Sequence, residues 1–347
     1  MRVVVVGATG NIGSSLVRKL VARPDVERTV GVARRLPAVG TEGVEYIQAD
    51  IVRDDLDPIF HQADAVVHLA WAIQPSHDLD ALERVNIDGS RRLFAAAAAA
   101  GVPALIYGSS VGAYSAGRKD RLVDESWPVD GIPSSFYGRH KAQVERMLDQ
   151  LEHECPRMRV VRMRPGLIFK AGAAAGIRRL FLGPLVPTPL LRPSLLRIVP
   201  SVPGLRFQAL HTDDVASAYT AAITGHVRGA FNLAADPVLD PDTLAEHFGA
   251  MKLPVPRGIA RALTAATWHL HLQPTPAGWL DLALGVPLMD CRRSRRELDW
   301  TPTRTSLDAL DDLLHGLSSG RGESLLPLEP DRPGRTHELA TGIGERQ

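Results

Sequence analysis

Residues 3–13 read VVVVGATGNIG, and this stretch decides the fold. Four β-branched residues without polar alternation predict a strand that is buried on both faces, as in a parallel sheet. The glycines that follow, Gly7, Gly10 and Gly13, predict a tight turn, and residues 14–20 continue at helical spacing. The chain therefore begins with a strand, a glycine turn and a helix.

The same alternation continues as far as residue 166. Apolar runs predict further strands and periodic stretches predict helices at 82–100 and 137–151; the predicted strands cover residues 29–33, 44–48, 65–69, 104–107 and 159–163. Strands that alternate with helices predict an α/β fold with a doubly wound parallel sheet and right-handed crossovers.

The pattern loosens after residue 166, which predicts a sheet domain over 1–166 and a smaller C-terminal substrate-binding region over 167–317. Prolines interrupt the apolar stretch 180–205 and exclude a long helix there. This stretch is open to interpretation as a pocket wall, core, lid or interface. Residues 318–347 are polar and rich in Gly, Pro, Glu and Arg, which predicts a disordered or loosely docked tail.

Composition limits the classes of function. The 347 residues include 40 basic and 39 acidic side chains, a net charge of +1, which predicts no recruitment to nucleic acid or to an anionic membrane. The two cysteines, Cys155 and Cys291, form neither a disulfide framework nor a metal-ligand cluster. Neither a signal peptide nor an apolar run of about 18 residues is present. These features predict a cytoplasmic protein without a metal, acting on a small molecule.

The glycine turn is the first candidate site. Gly7, Gly10 and Gly13 lie between a buried strand and a helix, where the backbone can approach a ligand closely. The N–H groups and partial positive charge of the helix N-terminus stabilise a pyrophosphate at such a turn. At the end of the first strand of an α/β alternation, this pattern predicts a dinucleotide site, although it is also compatible with a turn that serves only strand–helix packing.

Arg34 stands where an NAD-binding site would carry an acidic residue. A carboxylate at the end of the second strand would accept a hydrogen bond from the ribose 2′-hydroxyl of NAD. Arg34 and Arg35 occupy this place, and a guanidinium pairs well with a 2′-phosphate, so the charge favours NADP over NAD. The alternative is a solvated pair of surface arginines. Asp50, after the third strand, can bind an adenine amino group or cap the next helix.

Tyr137 and Lys141 lie four residues apart on a predicted helix and therefore share one face. A nearby ammonium lowers the pKa of a phenol, which lets the phenol exchange a proton with a substrate oxygen. Ser109 and Ser110 follow the fifth strand, at the sheet edge where ligands of open α/β folds bind. A serine hydroxyl there can bind the same substrate oxygen.

Together these motifs resemble the extended short-chain dehydrogenases/reductases of the NAD-dependent epimerase/dehydratase type, which have a Rossmann-like fold. The resemblance covers roughly residues 1–317 and rests on Gly7-Ala8-Thr9-Gly10-Asn11-Ile12-Gly13, Asp50-Ile51, His68-Leu69-Ala70, Asn86, Ser109-Ser110, Tyr137, Lys141, Arg164-Pro165-Gly166, Leu210–Ala216 and Arg296–Pro302. It implies that a segment near 207–233 returns to the sheet domain. It also implies a homodimer formed through the helices at 82–100 and 137–151.

The resemblance assigns roles to individual residues. It makes Tyr137 the general acid/base, with Lys141 lowering its pKa and holding the nicotinamide ribose. Ser110 would bind the substrate oxygen, with Ser109 as the alternative, and Asn86 would support the active-site backbone. The cofactor-binding residues would be Gly7, Thr9, Gly10, Asn11, Ile12, Gly13, Arg34, Asp50, Ile51, Leu69, Ala70, Tyr137, Lys141, Pro165 and Ile168.

Three functions are compatible with the sequence. The favoured hypothesis is an NAD(P)-dependent oxidoreductase that acts on a secondary alcohol or ketone. The second is an NAD-dependent sugar-nucleotide epimerase or dehydratase, which would need cations for a diphosphate; Arg178, Arg179, Arg192 and Arg197 are candidates for these, or simply surface charges. The third is a cofactor-sensing protein without turnover, because fold alone does not fix function.

Overall fold

The valines of residues 3–6 lie inside a seven-stranded sheet. The computed structural model describes residues 1–74, 76–325 and 328–330. Its strands are β1 (Arg2–Val6), β2 (Arg28–Ala33), β3 (Val44–Gln48), β4 (Ala65–His68), β5 (Ala104–Gly108), β6 (Leu122–Val123), β7 (Arg159–Pro165), β8 (Leu167–Phe169), β9 (Ile198–Ser201), β10 (Ala209–His211), β11 (Gly229–Leu233), β12 (Met251–Pro254) and β13 (Leu288–Met289).

The strand order of the large sheet is β11-β7-β5-β4-β1-β2-β3, and every neighbouring pair is parallel. The order reverses at β1, because β2 and β3 extend the sheet on one side and β4 on the other. Ligands of open parallel sheets bind outside the carboxyl ends of the strands at such a reversal. The glycine turn after β1 and the segment after β4 therefore meet at the place where a dinucleotide is expected.

Helices cover both faces of the sheet, as doubly wound topology requires. They are α1 (Asn11–Val21), α2 (Asp57–Phe60), α3 (Leu79–Glu83), α4 (Gly89–Ala99), α5 (Phe136–Glu154), α6 (Ala174–Ile177), α7 (Thr212–Thr224), α8 (Pro241–Phe248), α9 (Arg257–His269), α10 (Gly278–Gly285), α11 (Arg292–Glu297) and α12 (Ser306–Ser319). Val3 and Val5 pack in the core with α1 and α7, whereas Val4 and Val6 pack in the core with α4 and α5. This alternation follows from the two-residue period of a strand.

The second half of the chain both extends the sheet and builds a smaller region beside it. β11 pairs with β7 at one edge of the sheet, and α7 packs against α1. The stretch 180–205 forms the end of a π-helical turn, two short 3₁₀ turns and then the strand β9, in agreement with its prolines. α9 and α10 follow later in the chain and belong to the smaller region, and α10 contacts α5 of the sheet domain.

The first part of the expected tail is docked on the protein, which is the second of the two alternatives left open for residues after 318. α12 continues to Ser319, and Leu325 and Leu328 are buried beside Ala173. Glu323 forms an ion pair with Lys170 at 2.7 Å. No periodic pattern connects Glu323, Leu325 and Leu328 with their partners. The rest of the expected tail, 331–347, lies outside the described residues.

Two absences apply to the described part of the chain. None of its helices has both the length and the apolar character needed to cross a membrane. Nor do three or more of its His, Cys, Asp and Glu side chains group together in a way that would hold a metal ion.

Candidate active site

The glycine turn leaves no room for side chains. Gly7 has φ +89°, and a Cβ on it would lie 2.7 Å from the backbone nitrogen of Ala70. A Cβ on Gly13 would lie 2.2 Å from the carbonyl oxygen of Gly7. α1 begins after Gly10 without a side-chain cap from any described residue. Its first N–H groups are therefore available to an anion, and the backbone cradle fits a pyrophosphate.

Other residues of the turn have mainly structural contacts. The Asn11 side chain donates to the carbonyl of Ile168 at 3.2 Å and accepts from the Thr212 hydroxyl at 2.9 Å. It thus ties the turn to β8 and α7. Thr9 is buried, and Ile12 packs beside the core that contains α1 and α7. Pro165 ends β7 in a buried position.

Arg34 follows β2 and is exposed. In the described part of the chain, its guanidinium has no hydrogen bond or ion pair, although its carbonyl accepts from the Gln48 side chain at 3.0 Å. Asp50 Oδ1 accepts from the Val52 N–H at 2.9 Å and so shapes the turn after β3, next to buried Ile51. The two positions meet at the carboxyl edge of the sheet, where the adenosine part of a dinucleotide would lie.

Asn86 holds the backbone beside the reaction site. It lies in a π-helical turn, Arg84–Asp88, between α3 and α4; such turns are frequent at functional sites. Its side chain accepts from the Ala72 N–H at 2.7 Å and donates to the Ala72 carbonyl at 2.8 Å. These two bonds fix the segment that contains Leu69 and Ala70.

His68 is neutral and enclosed. Its Nε2 lies 2.8 Å from the Ser90 hydroxyl. Burial, with a smaller contribution from the charge of Lys141, lowers its pKa to about 3. A histidine with this pKa does not act as a base that titrates near neutral pH, and its place at the end of β4 is structural.

Tyr137, Lys141 and Ser110 come together. Tyr137 and Lys141 share one face of α5, and the ammonium lies 5.8 Å from the centre of the phenol ring. Burial raises the pKa of Tyr137 to about 12, while a hydrogen bond with the Ser110 side chain acts in the opposite direction. Burial also lowers the pKa of Lys141 well below its usual value. The direction for Tyr137 is the reverse of the lowering that the sequence predicted.

The position of Lys141 explains this difference. Its ammonium donates to the Gly108 carbonyl at 2.6 Å and lies 3.5 Å from the centre of the Trp71 ring. It is therefore held by a carbonyl dipole and an aromatic face, and both stabilise a cation. The phenol meanwhile lies in an enclosed aromatic setting that disfavours a phenolate.

The hydroxyl groups of the two candidate serines have different hydrogen-bond partners. Ser109 Oγ donates to Glu145 Oε1 at 2.6 Å, in a buried network where Arg164 also binds this carboxylate. Ser110 Oγ accepts from the Gly112 N–H at 3.0 Å and lies beside Tyr137. Of the two hydroxyls, that of Ser110 is the one near the phenol.

An aromatic wall surrounds Tyr137, and the sequence did not predict it. The Trp279 ring lies 4.7 Å from the Tyr137 ring, and the Trp71 ring lies 6.0 Å from it. Phe136 and Phe181 pack edge-on against Trp279 at 6.1 and 5.0 Å. Trp279 belongs to α10 and Trp71 to the segment after β4, so both regions of the chain build this wall.

Hydrogen bonds and ring stacking connect the segment after β4 to the smaller region. The Gln74 side chain donates to the carbonyls of Leu180 and Pro274, each at 2.9 Å. Trp268 Nε1 donates to Ser76 Oγ at 3.0 Å, and the Trp268 ring stacks on His77 at 4.0 Å. These contacts join the segment after β4 to residues near 180 and 268–274.

Two of the four arginines considered for a diphosphate donate to backbone carbonyls of the protein itself. Arg178 is fully buried and donates to the Gly183 carbonyl at 3.3 Å. Arg179 donates to the Glu329 carbonyl at 2.9 Å. Arg192 and Arg197 are exposed.

A sequence model of the NAD dependent epimerase/dehydratase family matches residues 3–234. The chain belongs to this family. It is therefore an enzyme of the short-chain dehydrogenase/reductase superfamily, and the resemblance inferred from its motifs is confirmed.

Curated relatives extend the comparison over the whole chain. An uncharacterised protein of Mycobacterium tuberculosis (strain ATCC 25618 / H37Rv) is 26% identical over 358 residues, which cover 99% of this chain and 90% of the relative. The decarboxylating sterol-4-alpha-carboxylate 3-dehydrogenase of Saccharomyces cerevisiae is 27% identical over 256 residues, which cover 70% of this chain and 66% of that enzyme.

Solved structures confirm the fold. The UDP-glucose 4-epimerase of Thermotoga maritima with UDP-glucose superposes with a TM-score of 0.68 at 19% identity, over 92% of this chain and 99% of the other. The UDP-glucose 4-epimerase of Thermus thermophilus in complex with NAD gives a TM-score of 0.67 at 20% identity, over 91% and 99%. The doubly wound α/β prediction is thereby confirmed.

Proposed function

We propose that the chain is an NAD(P)-dependent oxidoreductase that interconverts an apolar, ring-bearing secondary alcohol and its ketone. One observation carries this proposal: Tyr137, with Ser110 beside it, is flanked by the aromatic rings of Trp279 and Trp71. Aromatic surfaces bind apolar rings, whereas a nucleotide diphosphate needs cationic or N–H donors. Relatedness to a sterol dehydrogenase supports the same substrate class.

Each residue has a defined part in the proposed reaction. A bound nicotinamide supplies or accepts the hydride. In the reducing direction, Tyr137 gives its hydroxyl proton to the carbonyl oxygen as that oxygen becomes an alcohol; in oxidation, the phenolate takes the proton back. Ser110 donates a hydrogen bond to the same oxygen. Lys141 holds the nicotinamide ribose, because its ammonium carries three donors and only two of them are needed for the Gly108 carbonyl and the Tyr107 hydroxyl.

The serine pair offers a matched test of this assignment. We expect Ser110→Ala to lower kcat by about 10²-fold, because it removes a donor to the developing oxyanion. Ser109→Ala removes a bond to buried Glu145 instead and lowers the free energy of unfolding by about 1–3 kcal/mol. Steady-state kinetics and urea unfolding of both variants measure these effects. A larger loss of kcat in Ser109→Ala than in Ser110→Ala would reverse the assignment.

Arg34 is proposed to select NADP. Its exposed guanidinium is available to a 2′-phosphate at the carboxyl edge of the sheet. We expect Arg34→Asp to weaken NADPH binding relative to NADH by about tenfold or more, since it replaces attraction by repulsion. Fluorescence titration with both cofactors measures the ratio. Arg35→Asp is the neighbouring control and should change this ratio less. An unchanged ratio in Arg34→Asp would defeat the assignment of Arg34 to the 2′-phosphate.

The function itself is tested on the purified protein. Release of bound nucleotide, its absorbance and mass, and titration with NADPH and NADH identify the cofactor and how firmly it is held. Reduction of cyclic ketones by exchangeable NADPH supports the oxidoreductase. Firmly held NAD together with turnover of a UDP-sugar would instead identify an epimerase, the activity named for the fold neighbours. A cytoplasmic location and a homodimer through α4 and α5 remain predictions.

A further inference from the structure

Two tryptophans that flank Tyr137 have indole N–H groups without a partner. The Nε1 atoms of Trp71 and Trp279 are buried, and neither has an acceptor among the described residues. The rings themselves lie against the phenol, Trp279 at 4.7 Å with a tilt of 38° and Trp71 edge-on at 6.0 Å. Buried donors without acceptors are rare in folded proteins. Two of them beside one reacting group therefore point to an acceptor that the protein does not supply.

The surrounding side chains do not provide that acceptor. Lys141 carries only donors, and its ammonium is over the Trp71 ring. Ser110 Oγ already accepts from the Gly112 N–H. The remaining neighbours of Trp279 are apolar: Ile132 and Leu282 share its cluster, in addition to the phenylalanines described above. The N–H groups of Trp71 and Trp279 are therefore hydrogen-bond donors in an otherwise apolar wall.

We propose that Trp71 and Trp279 bind a second oxygen of the substrate, carried on an atom next to its reacting carbon. This inference rests on the proposed function and narrows the substrate class to apolar ring compounds with a carbonyl-bearing substituent beside the alcohol or ketone. Both indole rings flank the Tyr137 ring, so a substrate whose reacting oxygen meets the Tyr137 hydroxyl would bring its neighbouring atoms close to them. The N–H groups then replace the water that such a carbonyl loses on binding, which makes them determinants of specificity.

A pair of ring ketones tests the proposal by binding. The probes are ethyl 2-oxocyclohexanecarboxylate, which has the second carbonyl, and 2-butylcyclohexanone, which has a similar size without it. Calorimetry measures both dissociation constants on enzyme saturated with whichever oxidised cofactor, NAD⁺ or NADP⁺, it binds more tightly. No turnover occurs in this complex. We expect the wild type to bind the keto ester about tenfold more tightly.

Phenylalanine variants isolate the N–H groups because they keep an aromatic ring. Trp279→Phe and Trp71→Phe should each reduce the preference for the keto ester, measured as the ratio of the two dissociation constants, by about fivefold. A change in ring contact affects both ketones and cancels in this ratio. Trp268→Phe is the control, since its Nε1 already donates to Ser76 Oγ within the protein, and it should keep the preference. Cofactor affinity and thermal melting of each variant verify that it is folded.

Three results would overturn the inference: equal wild-type affinity for the two ketones, no binding of either ketone, or a preference that survives in both Trp279→Phe and Trp71→Phe. If the wild type binds the keto ester more tightly but does not reduce it with NADPH, the oxidoreductase proposal is wrong. The proposed role of the Trp71 and Trp279 N–H groups is then still supported. The two proposals therefore fail on different measurements, one on turnover and the other on affinity.

Discussion

Tyr137→Phe is expected to lower kcat for ketone reduction by about 10³-fold, within the range that a positioned proton donor contributes. The phenyl ring keeps the packing against Trp279 and Trp71, so the site should remain assembled. Only the hydroxyl that would protonate the substrate oxygen is lost. Single-turnover kinetics with NADPH measures the chemical step, and fluorescence titration should show cofactor affinity within about twofold of the wild type.

Tyr219→Phe is the matched control for this variant. Tyr219 is fully buried, and its hydroxyl has no partner among the described residues, so removal of this hydroxyl should leave kcat unchanged. The pH profile adds an independent readout. Because burial raises the pKa of Tyr137 to about 12, the neutral phenol prevails at neutral pH, and reduction should be insensitive to pH between about 6 and 9. Alcohol oxidation needs the phenolate and should accelerate with rising pH. Wild-type-like turnover by Tyr137→Phe would remove the proposed proton relay.

The site residues that could be predicted from sequence are those whose position follows from local geometry. Three glycines between a strand and a helix define a turn at the sheet edge, and the four-residue spacing of Tyr137 and Lys141 puts both on one helix face. The alternation of strands and helices likewise predicted the parallel sheet. These features depend on neighbours along the chain, which a single sequence displays directly.

The residues that the sequence missed reach the site through tertiary contacts. Trp279 lies on α10, a short helix far from Tyr137 along the chain, and no periodic pattern connects them. The structure distinguishes Ser109 from Ser110 through Glu145, whose carboxylate accepts a hydrogen bond from the Ser109 hydroxyl. The pKa of Tyr137 depended on enclosure by those distant rings. Desolvation of a phenol is a property of the assembled site, whereas the sequence showed only that an amine was near.

The second large effect is expected from substitution of Glu145, and it concerns stability rather than turnover. Its carboxylate is buried with two arginines: Arg164 Nε and Nη2 donate to it at 2.8 and 2.9 Å, and Arg162 Nε lies 3.2 Å away. Burial alone would raise the pKa of Glu145, but the hydrogen bonds and charge of Arg164 outweigh it and hold that pKa below its usual value. Glu145→Gln leaves the buried Arg164 guanidinium without its carboxylate partner, whereas Arg162 keeps its ion pairs with Asp149 and Glu152.

We expect Glu145→Gln to lower the free energy of unfolding by about 3–5 kcal/mol at neutral pH, the cost of removing one partner from a buried ion pair. Urea unfolding measures it. Asp149→Asn is the control, because that exposed carboxylate also binds Arg162, at 2.7 Å. An exposed pair of this kind should contribute less than about 1 kcal/mol.

The pH dependence of the free energy of unfolding tests whether the effect of Glu145→Gln comes from the charge of the carboxylate. A carboxyl whose pKa is lower in the folded chain stabilises the fold above its unfolded pKa of about 4.3, and this contribution disappears as pH falls through the folded value. The gap between wild type and Glu145→Gln should therefore be constant from about pH 6 to 8 and shrink below about pH 4, because the protonated wild-type side chain then resembles the amide. A gap that stays constant into acid would mean that shape and hydrogen bonding, rather than charge, hold Arg162 and Arg164 behind the active site.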